Sequence, residues 1–177
     1  MLEHPFEPVV DGDCTVLVLG SFPSVKSREI GFYYGHPRNR FWPMLARVYG
    51  EELPADIPAR KALLLRRHIA LWDAALCCEV DGSMDQDIKN VTPTDLSRIL
   101  SQANIRLVLA NGSLAGRLYQ RFQQQETGLP CTILPSTSPA NAAWSLDRLC
   151  EAWAPFLPAH VTVLSNNDSL LAVQQRG

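Results

Sequence analysis

A stretch rich in aromatic and basic residues, 31–42, carries the densest potential chemistry of the sequence. Five aromatic rings are interleaved there with His36, Arg38 and Arg40. Aromatic rings offer faces on which bases stack, and arginines offer contacts to phosphates. Residues 20–42 hold one acid and four cations: Lys26, Arg28, Arg38 and Arg40. The stretch therefore predicts a basic, aromatic surface suited to nucleic acid, although residues 41–42 fit the buried face of a helix.

The segment Gly20-Ser21-Phe22-Pro23-Ser24 offers two hydroxyls directly after a short apolar run. A glycine at the end of a strand permits close approach of the backbone to a ligand, and the proline stiffens the loop. The segment is not a phosphate-binding P-loop, which requires Gly-x-x-x-x-Gly-Lys-Ser/Thr. It is not the Gly-x-Ser-x-Gly elbow of a serine hydrolase either. An ordinary turn between a strand and a loop is the alternative interpretation.

Three further polar features stand beside apolar runs. Asp73 lies between Trp72 and Ala74, and a buried carboxylate needs a partner, which a helix cap or an arginine could provide. Asn111-Gly112 follows another apolar run, and residues 135–141 form a hydroxyl-rich segment that we expect to open a helix. Helix N-termini and hydroxyls bind phosphates well, although both segments could also be plain turns.

Alternating apolar and amphipathic stretches predict the elements that position these side chains. Short apolar runs indicate strands at residues 15–19, 69–76, 106–110 and 131–134, with a strand-like segment at 160–164. Helical spacing indicates helices at residues 41–49, 59–68, 92–102, 113–124 and 143–156, and loops are predicted at 20–38 and 79–90. This alternation is typical of an α/β domain with a largely parallel sheet. Because ligands bind at the carboxyl ends of such strands, we expect the polar features to converge at one edge.

Composition limits the fold and the partners. The chain has 177 residues, of which 46% are apolar and 19% charged, enough for one packed domain. We expect residues 1–157 to form this domain and residues 158–177 to be a less ordered C-terminal extension. Sixteen Lys and Arg against eighteen Asp and Glu exclude a globally basic surface but not a local one.

The sequence lacks the patterns of membrane spans and metal centres. No apolar run approaches the roughly 20 residues of a membrane span, and the N-terminus does not resemble a signal peptide. Five cysteines are scattered without a Cys-x-x-Cys pair, and the four histidines are equally dispersed. We therefore expect a cytoplasmic monomer with free thiols, no metal and no cofactor.

Taken in order, five segments resemble the uracil-DNA glycosylase superfamily, and in particular its hypoxanthine-DNA (deoxyinosine) glycosylase branch. The segments are Gly20-Ser21-Phe22-Pro23-Ser24, residues 34–42 (YGHPRNRFW), Leu71-Trp72-Asp73, Asn111-Gly112 and residues 134–141 (LPSTSPAN). The resemblance spans about residues 14–157. It implies an α/β fold, a three-layer α/β/α sandwich with a short central, mainly parallel sheet. It also implies hydrolysis of the N-glycosidic bond of a deaminated base in damaged DNA, without a cofactor.

Two positions depart from the uracil-specific members and agree with the hypoxanthine branch. The first motif usually carries an Asp or Asn that positions the attacking water, where this chain has Phe22. The last motif usually opens with a His or Asn that stabilises the departing base, where this chain has Leu134. The resemblance implies that Asn39 takes over catalysis. Asp73 occupies the place of a base-reading Asn, and we expect it to disfavour uracil.

The other site residues are expected in the same segments. We expect the water and the base to be held by Ser21, Phe22, Tyr34, Asp73 and Asn111. We expect phosphate contacts from Ser24, Arg38, Ser136 and Ser138, and a supporting loop that contains Leu134, Pro135, Thr137 and Asn141. A glycosylase for uracil or xanthine and a non-catalytic module that binds nucleotides or single strands are the alternatives. A serine hydrolase is disfavoured because the sequence contains no nucleophile elbow.

Overall fold

The computed structural model describes residues 2–80 and 88–159 and combines strands with helices. The strands are β1 (Leu2–Glu3), β2 (Val16–Gly20), β3 (Ile69–Asp73), β4 (Ala75–Val80), β5 (Ile88–Pro93), β6 (Leu107–Asn111) and β7 (Cys131–Leu134). The helices are α1 (Val25–Ile30), α2 (Phe41–Tyr49), α3 (Ile57–Arg66), α4 (Ser97–Leu100), α5 (Ser113–Phe122), α6 (Gln124–Thr127) and α7 (Leu146–Trp153). A short 3₁₀ turn at Ala154–Phe156 follows α7.

Four strands form a parallel sheet in the order β3-β2-β6-β7. β2 and β3 are buried along their whole length, and continuous apolar runs suit parallel strands that are covered on both faces. The register pairs Gly20 with Asp73 and Asn111 with Leu134. The last residues of all four strands consequently lie along one edge of the sheet.

Helices pack against this sheet. α3 contacts β3, α5 contacts β6 and β7, and α2 packs on α7. α2 covers the residues that its apolar spacing predicted and ends at Gly50, where the chain is left-handed with a φ of 63°. Phe41 and Trp42 are buried in the core, as their spacing also predicted. Sheet and helices together have the predicted α/β class, with a mainly parallel sheet at the centre.

A second, antiparallel sheet with the order β1-β4-β5 was not predicted. A single residue, Ala74, separates β3 from β4, and β5 returns beside β4, pairing Glu79 with Lys89. The loop predicted over residues 79–90 is therefore wrong at both ends, while residues 81–87 lie outside the described part. Strand formation in an antiparallel sheet depends on cross-strand neighbours more than on local composition. The polar composition of residues 79–90 therefore did not indicate strands. β1 joins β4 and brings the N-terminal residues beside the parallel sheet.

Three helix predictions need correction. The loop predicted over residues 20–38 contains α1, which begins where the Ser24 hydroxyl accepts a hydrogen bond from the Ser27 N–H at 3.2 Å. The helix predicted at residues 92–102 is reduced to α4, because β5 takes up its first residues. α7 begins well after residues 135–141, so that segment is a loop and does not open a helix.

Two sequence predictions fall on the C-terminal end. The strand-like segment at residues 160–164 lies outside the described residues, as does most of the extension predicted at residues 158–177. The domain boundary therefore stays a prediction. No helix within residues 2–80 or 88–159 is long and apolar enough to cross a membrane.

Gly112 makes the turn from β6 into α5. Its φ of 94° and ψ of 164° lie in a region that is essentially restricted to glycine. A Cβ at this position would lie 3.0 Å from the Cβ of Ser136, and the Gly112 N–H donates to the carbonyl of Leu134 at 2.9 Å. This glycine therefore allows the end of β6 to approach the loop that follows β7.

We predict that Gly112→Ala lowers the free energy of unfolding by about 2–3 kcal/mol, because backbone strain and the Ser136 contact act together. Gly50→Ala is the matched control. Position 50 is also left-handed, but a Cβ there meets no atom within 4 Å, so we expect a loss of about 1 kcal/mol. Urea denaturation of the wild type and both variants measures the difference. Equal losses would contradict the close contact at Gly112.

Candidate active site

The carboxyl edge of the parallel sheet opens into a cavity of about 260 Å³. Three strand ends contribute Gly20, Asp73 and Asn111 to its wall. The loops contribute Ser21, Phe22, Pro23, Ser24, Ser27, Tyr33, Tyr34, His36, Asn39, Ser136, Thr137, Ser138, Pro139 and Ala140. Segments far apart in sequence thus share one cavity, because all the strands of a parallel sheet end on the same side.

Asp73 and His4 form a buried pair beside the cavity. The Nε2 atom of His4 lies 2.8 Å from Oδ2 of Asp73, and the two side chains are 0% and 5% exposed. The Phe6 N–H donates to Nδ1 of His4 at 3.1 Å. The ring hydrogen therefore resides on Nε2 and is donated to the carboxylate. The sequence suggested a helix cap or an arginine as the partner of Asp73, and a histidine 69 residues away takes that place instead.

Gly20 leaves room for the second carboxylate oxygen. Gly20 and Asp73 are paired across β2 and β3, and a Cβ at Gly20 would lie only 2.0 Å from Oδ1 of Asp73. From the sequence, this glycine was expected to let a ligand approach the backbone closely. In the structure, the neighbouring strand already requires a glycine there.

The side-chain hydroxyl of Tyr34 lies at the paired strand ends, beside Gly20 and Asp73. Its oxygen would lie 3.1 Å from a Cβ at Gly20, and it is buried without a hydrogen-bond partner among the described residues. Burial, and then the charge of Asp73, raise the pKa of Tyr34 well above its ordinary value against a smaller lowering by the neighbouring Asn111 side chain, so the hydroxyl keeps its hydrogen near neutral pH. The backbone of Tyr34 is left-handed, with a φ of 52°. Such strained conformations are frequent at functional sites.

Asn39 lies in the loop that precedes α2. Its Oδ1 accepts a hydrogen bond from the Phe41 N–H at 3.0 Å, which fixes the end of the amide that carries the oxygen. Its Nδ2 has no hydrogen-bond partner within the described part of the chain. The amide therefore keeps two N–H donors and a second oxygen lone pair for a ligand or a water molecule.

Asn111 holds the loop that follows β7. Its Nδ2 donates to Oγ1 of Thr137 at 2.9 Å, and its Oδ1 accepts from the Thr137 N–H at 2.9 Å. Thr137 is fully buried. Asn111 lines the cavity, as predicted for a pocket residue, but both ends of its amide already bind this loop.

The three serines predicted to bind phosphate all accept hydrogen bonds from the backbone. Ser136 accepts from the Ser138 N–H, and Ser138 accepts from the Ala140 N–H, each at 3.2 Å. Ser24 caps α1 and shares a hydroxyl contact of 3.1 Å with Ser27. The hydroxyl hydrogens of Ser136 and Ser138 are consequently left to donate to an anion at the rim of the cavity.

Arg40 faces inward and binds the same loop. Its guanidinium donates to the backbone oxygens of Ser138 and Asn141 at 2.5 and 3.1 Å, and also to that of Trp144. Its Nε and its backbone N–H donate to the Thr137 oxygen at 3.4 and 3.1 Å. This one side chain therefore fixes the loop after β7 to the start of α2.

The predicted basic surface is smaller than its four cations suggested. Arg40 is bound to backbone oxygens, Lys26 pairs with a neighbouring glutamate at 2.7 Å, and Arg28 donates to the carbonyl of Pro23 at 2.7 Å. Arg38 is exposed, and its side chain has no partner in residues 2–80 and 88–159. Composition could not separate inward-facing from outward-facing arginines.

The two positions that depart from the uracil-specific pattern hold packed apolar side chains. Phe22 is 7% exposed and its ring lies 6.0 Å from that of His4. Leu134 is 5% exposed at the end of β7. With Pro135 and Asn141, Leu134 lines a more open groove of about 800 Å³ that adjoins the cavity.

Comparison with known proteins places this cavity in a family. The model of the uracil DNA glycosylase superfamily matches residues 7–157, which include every predicted site residue. The chain belongs to the uracil DNA glycosylase superfamily. A hypoxanthine DNA glycosylase from Methanosarcina barkeri is 35% identical over 156 residues, 87% of this chain and 97% of the relative. A hypoxanthine DNA glycosylase from Methanosarcina acetivorans is 33% identical over 159 residues, 88% of this chain and 99% of the relative.

A solved structure agrees with this family membership. The solution NMR structure of a candidate uracil DNA glycosylase from Methanosarcina acetivorans matches with a TM-score of 0.73 and 33% identity. The match covers 88% of this chain and 96% of that chain. The predicted superfamily and the predicted three-layer α/β/α fold are confirmed.

The structure shows no group of three or more His, Cys, Asp or Glu side chains that could hold a metal ion, within the residues that it describes.

We predict that Arg40→Lys loosens the loop after β7, because a lysine cannot reproduce the planar set of donors of a guanidinium. Hydrogen exchange of the backbone amides in residues 136–144 should become roughly tenfold faster, as expected when about 1.4 kcal/mol of local stability is lost. Arg38→Lys is the control, since that side chain is exposed and unpaired in the described part of the chain. If the loop amides of the Arg40 variant stay as protected as those of the control, the loop does not depend on Arg40.

Proposed function

We propose that this protein is a DNA glycosylase of base-excision repair that hydrolyses the N-glycosidic bond of deoxyinosine and releases hypoxanthine. The observation that carries the proposal is the cavity that joins Asn39, Asp73 and Tyr34 at the carboxyl edge of the sheet. Family membership and the names of the two Methanosarcina relatives support it. The substrate is damaged DNA, from which the nucleotide is flipped into the cavity at a cost of a few kcal/mol. We further propose that the protein acts on this substrate as a cytoplasmic monomer.

The reaction breaks the bond between C1′ of the sugar and N9 of the base. The electron pair leaves with hypoxanthine, which delocalises the charge, and the sugar becomes an oxocarbenium-like cation. A water molecule then adds to C1′ and releases a proton to the base or to solvent. Ordinary glycosidases use two carboxylates for such a step, whereas Asp73 alone provides a carboxylate to the described wall of this cavity. Positioning and oriented dipoles therefore supply most of the catalysis.

Asn39 positions the water. An amide does not remove a proton from water near neutral pH, but its oxygen can accept a hydrogen bond from water and support a nearby cation. The bond from the Phe41 N–H holds the amide in one orientation, so little conformational freedom is lost in the transition state. No side chain is required to act as a general base if the sugar departs as a cation before the water adds.

Asp73 and Tyr34 read the edge of the flipped base. Hypoxanthine presents N1–H as a donor and O6 as an acceptor, whereas adenine presents a lone pair at N1. The Oδ1 atom of Asp73 accepts N1–H, and a carboxylate facing the lone pair of adenine would be repelled. O6 needs a separate donor, and the unpartnered hydroxyl of Tyr34 lies at the same strand end. The pair therefore selects the base that deamination creates.

The contacts to the DNA backbone are few. Arg38 is exposed, and with no partner for its side chain among residues 2–80 and 88–159 it can bind a phosphate; the Ser136 and Ser138 hydroxyls can donate to another. Ser24 stays a candidate contact at the rim of the cavity. Each phosphate neutralised by a Lys or Arg adds about 0.9 to the steepness with which log affinity falls against log salt concentration. Because the protein has a formal net charge of −2 and few such contacts, we expect its affinity for DNA to fall only gently as the salt concentration rises.

An assay on single-lesion duplexes tests the proposal. Duplexes that carry deoxyinosine, deoxyuridine or deoxyxanthosine are incubated with the protein in EDTA, and abasic sites are detected as alkali-labile strand breaks. We expect release from the deoxyinosine duplex without added metal. Binding without abasic sites would support the alternative of a non-catalytic module, and preferential release of uracil or xanthine would support the other alternative.

We predict that Asn39→Ser lowers the single-turnover rate of hypoxanthine release at least about a hundredfold, while DNA binding changes little, because positioning acts mainly in the transition state. Serine is chosen because its hydroxyl can still accept a hydrogen bond from the Phe41 N–H two residues along the chain, so stability is preserved. A rate within twofold of wild type would remove Asn39 from the catalytic step.

We predict that Asp73→Asn raises adenine release relative to hypoxanthine release by about tenfold, the equivalent of one charge-assisted hydrogen bond. A carboxylate only accepts, so it favours N1–H of hypoxanthine and repels the lone pair at N1 of adenine, whereas an amide can turn either to accept from N1–H or to donate to that lone pair. Asp147→Asn makes the same chemical change on an exposed side chain and is the control. Both rates are measured on matched duplexes, and an unchanged ratio would exclude Asp73 from base recognition.

A further inference from the structure

We propose that His4 is a positioning residue that acts through Asp73 to set which base is released. The proposal rests on the base-reading role of Asp73 in the proposed function. It adds a residue from the N-terminal segment, outside all the motifs that the sequence indicated, to the determinants of specificity. His4 does not line the cavity and has no direct access to the base.

The surroundings of His4 leave its ring a single orientation. The side chain is fully buried, and the rings of four residues surround it at centroid distances of 5.5–6.5 Å: Phe6, Phe22, Tyr33 and Trp72. The backbone N–H of His4 donates to the carbonyl of Leu76 at 2.7 Å, beside the pairing of β1 with β4. Close packing of this kind prevents the ring from rotating away from Asp73.

The hydrogen bonds of His4 make it a neutral donor. Because the Phe6 N–H points at Nδ1, that nitrogen is an acceptor, and a second ring hydrogen there would meet the N–H directly. The hydrogen on Nε2 goes to Oδ2 of Asp73 at 2.8 Å. A lysine or arginine at this place would neutralise the carboxylate. A neutral imidazole orients the carboxylate and leaves its negative charge available to the cavity.

The same contacts determine where the second oxygen points. Oδ2 is held by His4, and Oδ1 lies against Gly20, where even a methyl group would not fit. The plane of the carboxylate is therefore fixed from both sides. The ionisable groups of the cavity that lie close to Asp73 are the hydroxyls of Tyr33 and Tyr34, and burial, followed by the charge of Asp73, raises the pKa of both, so both keep their hydrogens.

Loss of the His4 donor should change the base preference, in addition to any effect on stability. A carboxylate without that donor is buried with one oxygen unpaired, and it either turns away or binds a proton. A carboxylic acid both donates and accepts, as an asparagine amide does. His4→Phe should therefore shift the ratio of adenine to hypoxanthine release in the same direction as Asp73→Asn.

The experiment is a double-mutant cycle on the full chain, read as the ratio of adenine to hypoxanthine release rates on matched duplexes. We expect His4→Phe to raise this ratio about tenfold in the wild-type background and less than twofold in the Asp73→Asn background. His4→Gln should stay within threefold of the wild-type ratio, because its side-chain amide can still donate to Oδ2. Phe6→Leu is the packing control: it disturbs a ring against His4 but keeps the donor, so stability falls and the ratio stays constant.

Several results would overturn the proposal. A merely structural His4 predicts that His4→Phe slows the release of both bases equally, or that its effect on the ratio is undiminished in the Asp73→Asn background. If His4→Phe does not fold, His4→Asn replaces it, since this side chain is too short to reach Oδ2. Failure of a folded His4→Gln to restore the ratio that His4→Asn changes would then be decisive against the proposal.

A second measurement separates this proposal from the proposed function. Nitrogen NMR of the histidine rings in the wild-type protein reports the tautomer of His4 without any substrate. We expect a neutral ring protonated on Nε2, with a resonance that shifts in Asp73→Asn. A ring protonated on Nδ1, or one insensitive to Asp73, overturns the positioning role even if hypoxanthine is released. Absence of release of any base overturns the proposed function, whatever the tautomer of His4.

Discussion

The burial of the Asp73 carboxylate at the end of a parallel strand is the constraint on which the rest of the site depends. A buried charge is unfavourable unless hydrogen bonds compensate it. The compensation comes from His4, whose ring hydrogen reaches Oδ2. The space comes from Gly20, whose missing side chain admits Oδ1. Tyr34 lies at the same point with a buried hydroxyl that has no hydrogen-bond partner in the described part of the chain. Much of the cavity wall is therefore arranged around one carboxyl group.

This constraint also explains the small antiparallel sheet. β4 continues the chain directly after the end of β3, and β1 pairs with it. That pairing places His4 beside Leu76, three residues along the chain from Asp73. A sheet that is peripheral to the core thus has a direct consequence at the cavity. The N-terminal segment is fixed a second time where Val9 and Leu71 exchange two backbone hydrogen bonds of 2.9 Å.

A second set of contacts fixes the opposite wall of the cavity. Arg40 binds the loop after β7 through several backbone oxygens, and Asn111 binds Thr137 with both ends of its amide. Since Arg40 follows Asn39 directly, the residue proposed to hold water and the serines proposed to hold phosphate belong to one connected unit. A site that relies on positioning, with no general base, requires such rigid support. Gly112 completes this wall by allowing the two strand ends to approach.

The sequence by itself determined the local elements and the edge at which the site lies. Short apolar runs predicted β2, β6 and β7 to within a residue, and β2 is buried throughout, as a parallel strand covered on both faces should be, although the edge strand β7 is only partly buried. Helical spacing predicted α2 with both of its ends. The rule that parallel strands end on one side then brought Asp73, Asn111 and the Gly20 segment together. Asn39 was indicated by family resemblance alone, and its catalytic role remains a proposal.

Tertiary structure decided which partner each polar side chain has. His4 is 69 residues from Asp73 and shows no periodic signal, so sequence could not connect them. Arg38 and Arg40 are chemically identical and two residues apart, yet the first faces solvent and the second binds a loop about 100 residues away. Propensity and periodicity report the neighbours along the chain, which determine whether a segment becomes a helix or a strand. Hydrogen-bond partners and burial depend on the segments that folding brings alongside, and this is why the chemistry of the cavity appears only in three dimensions.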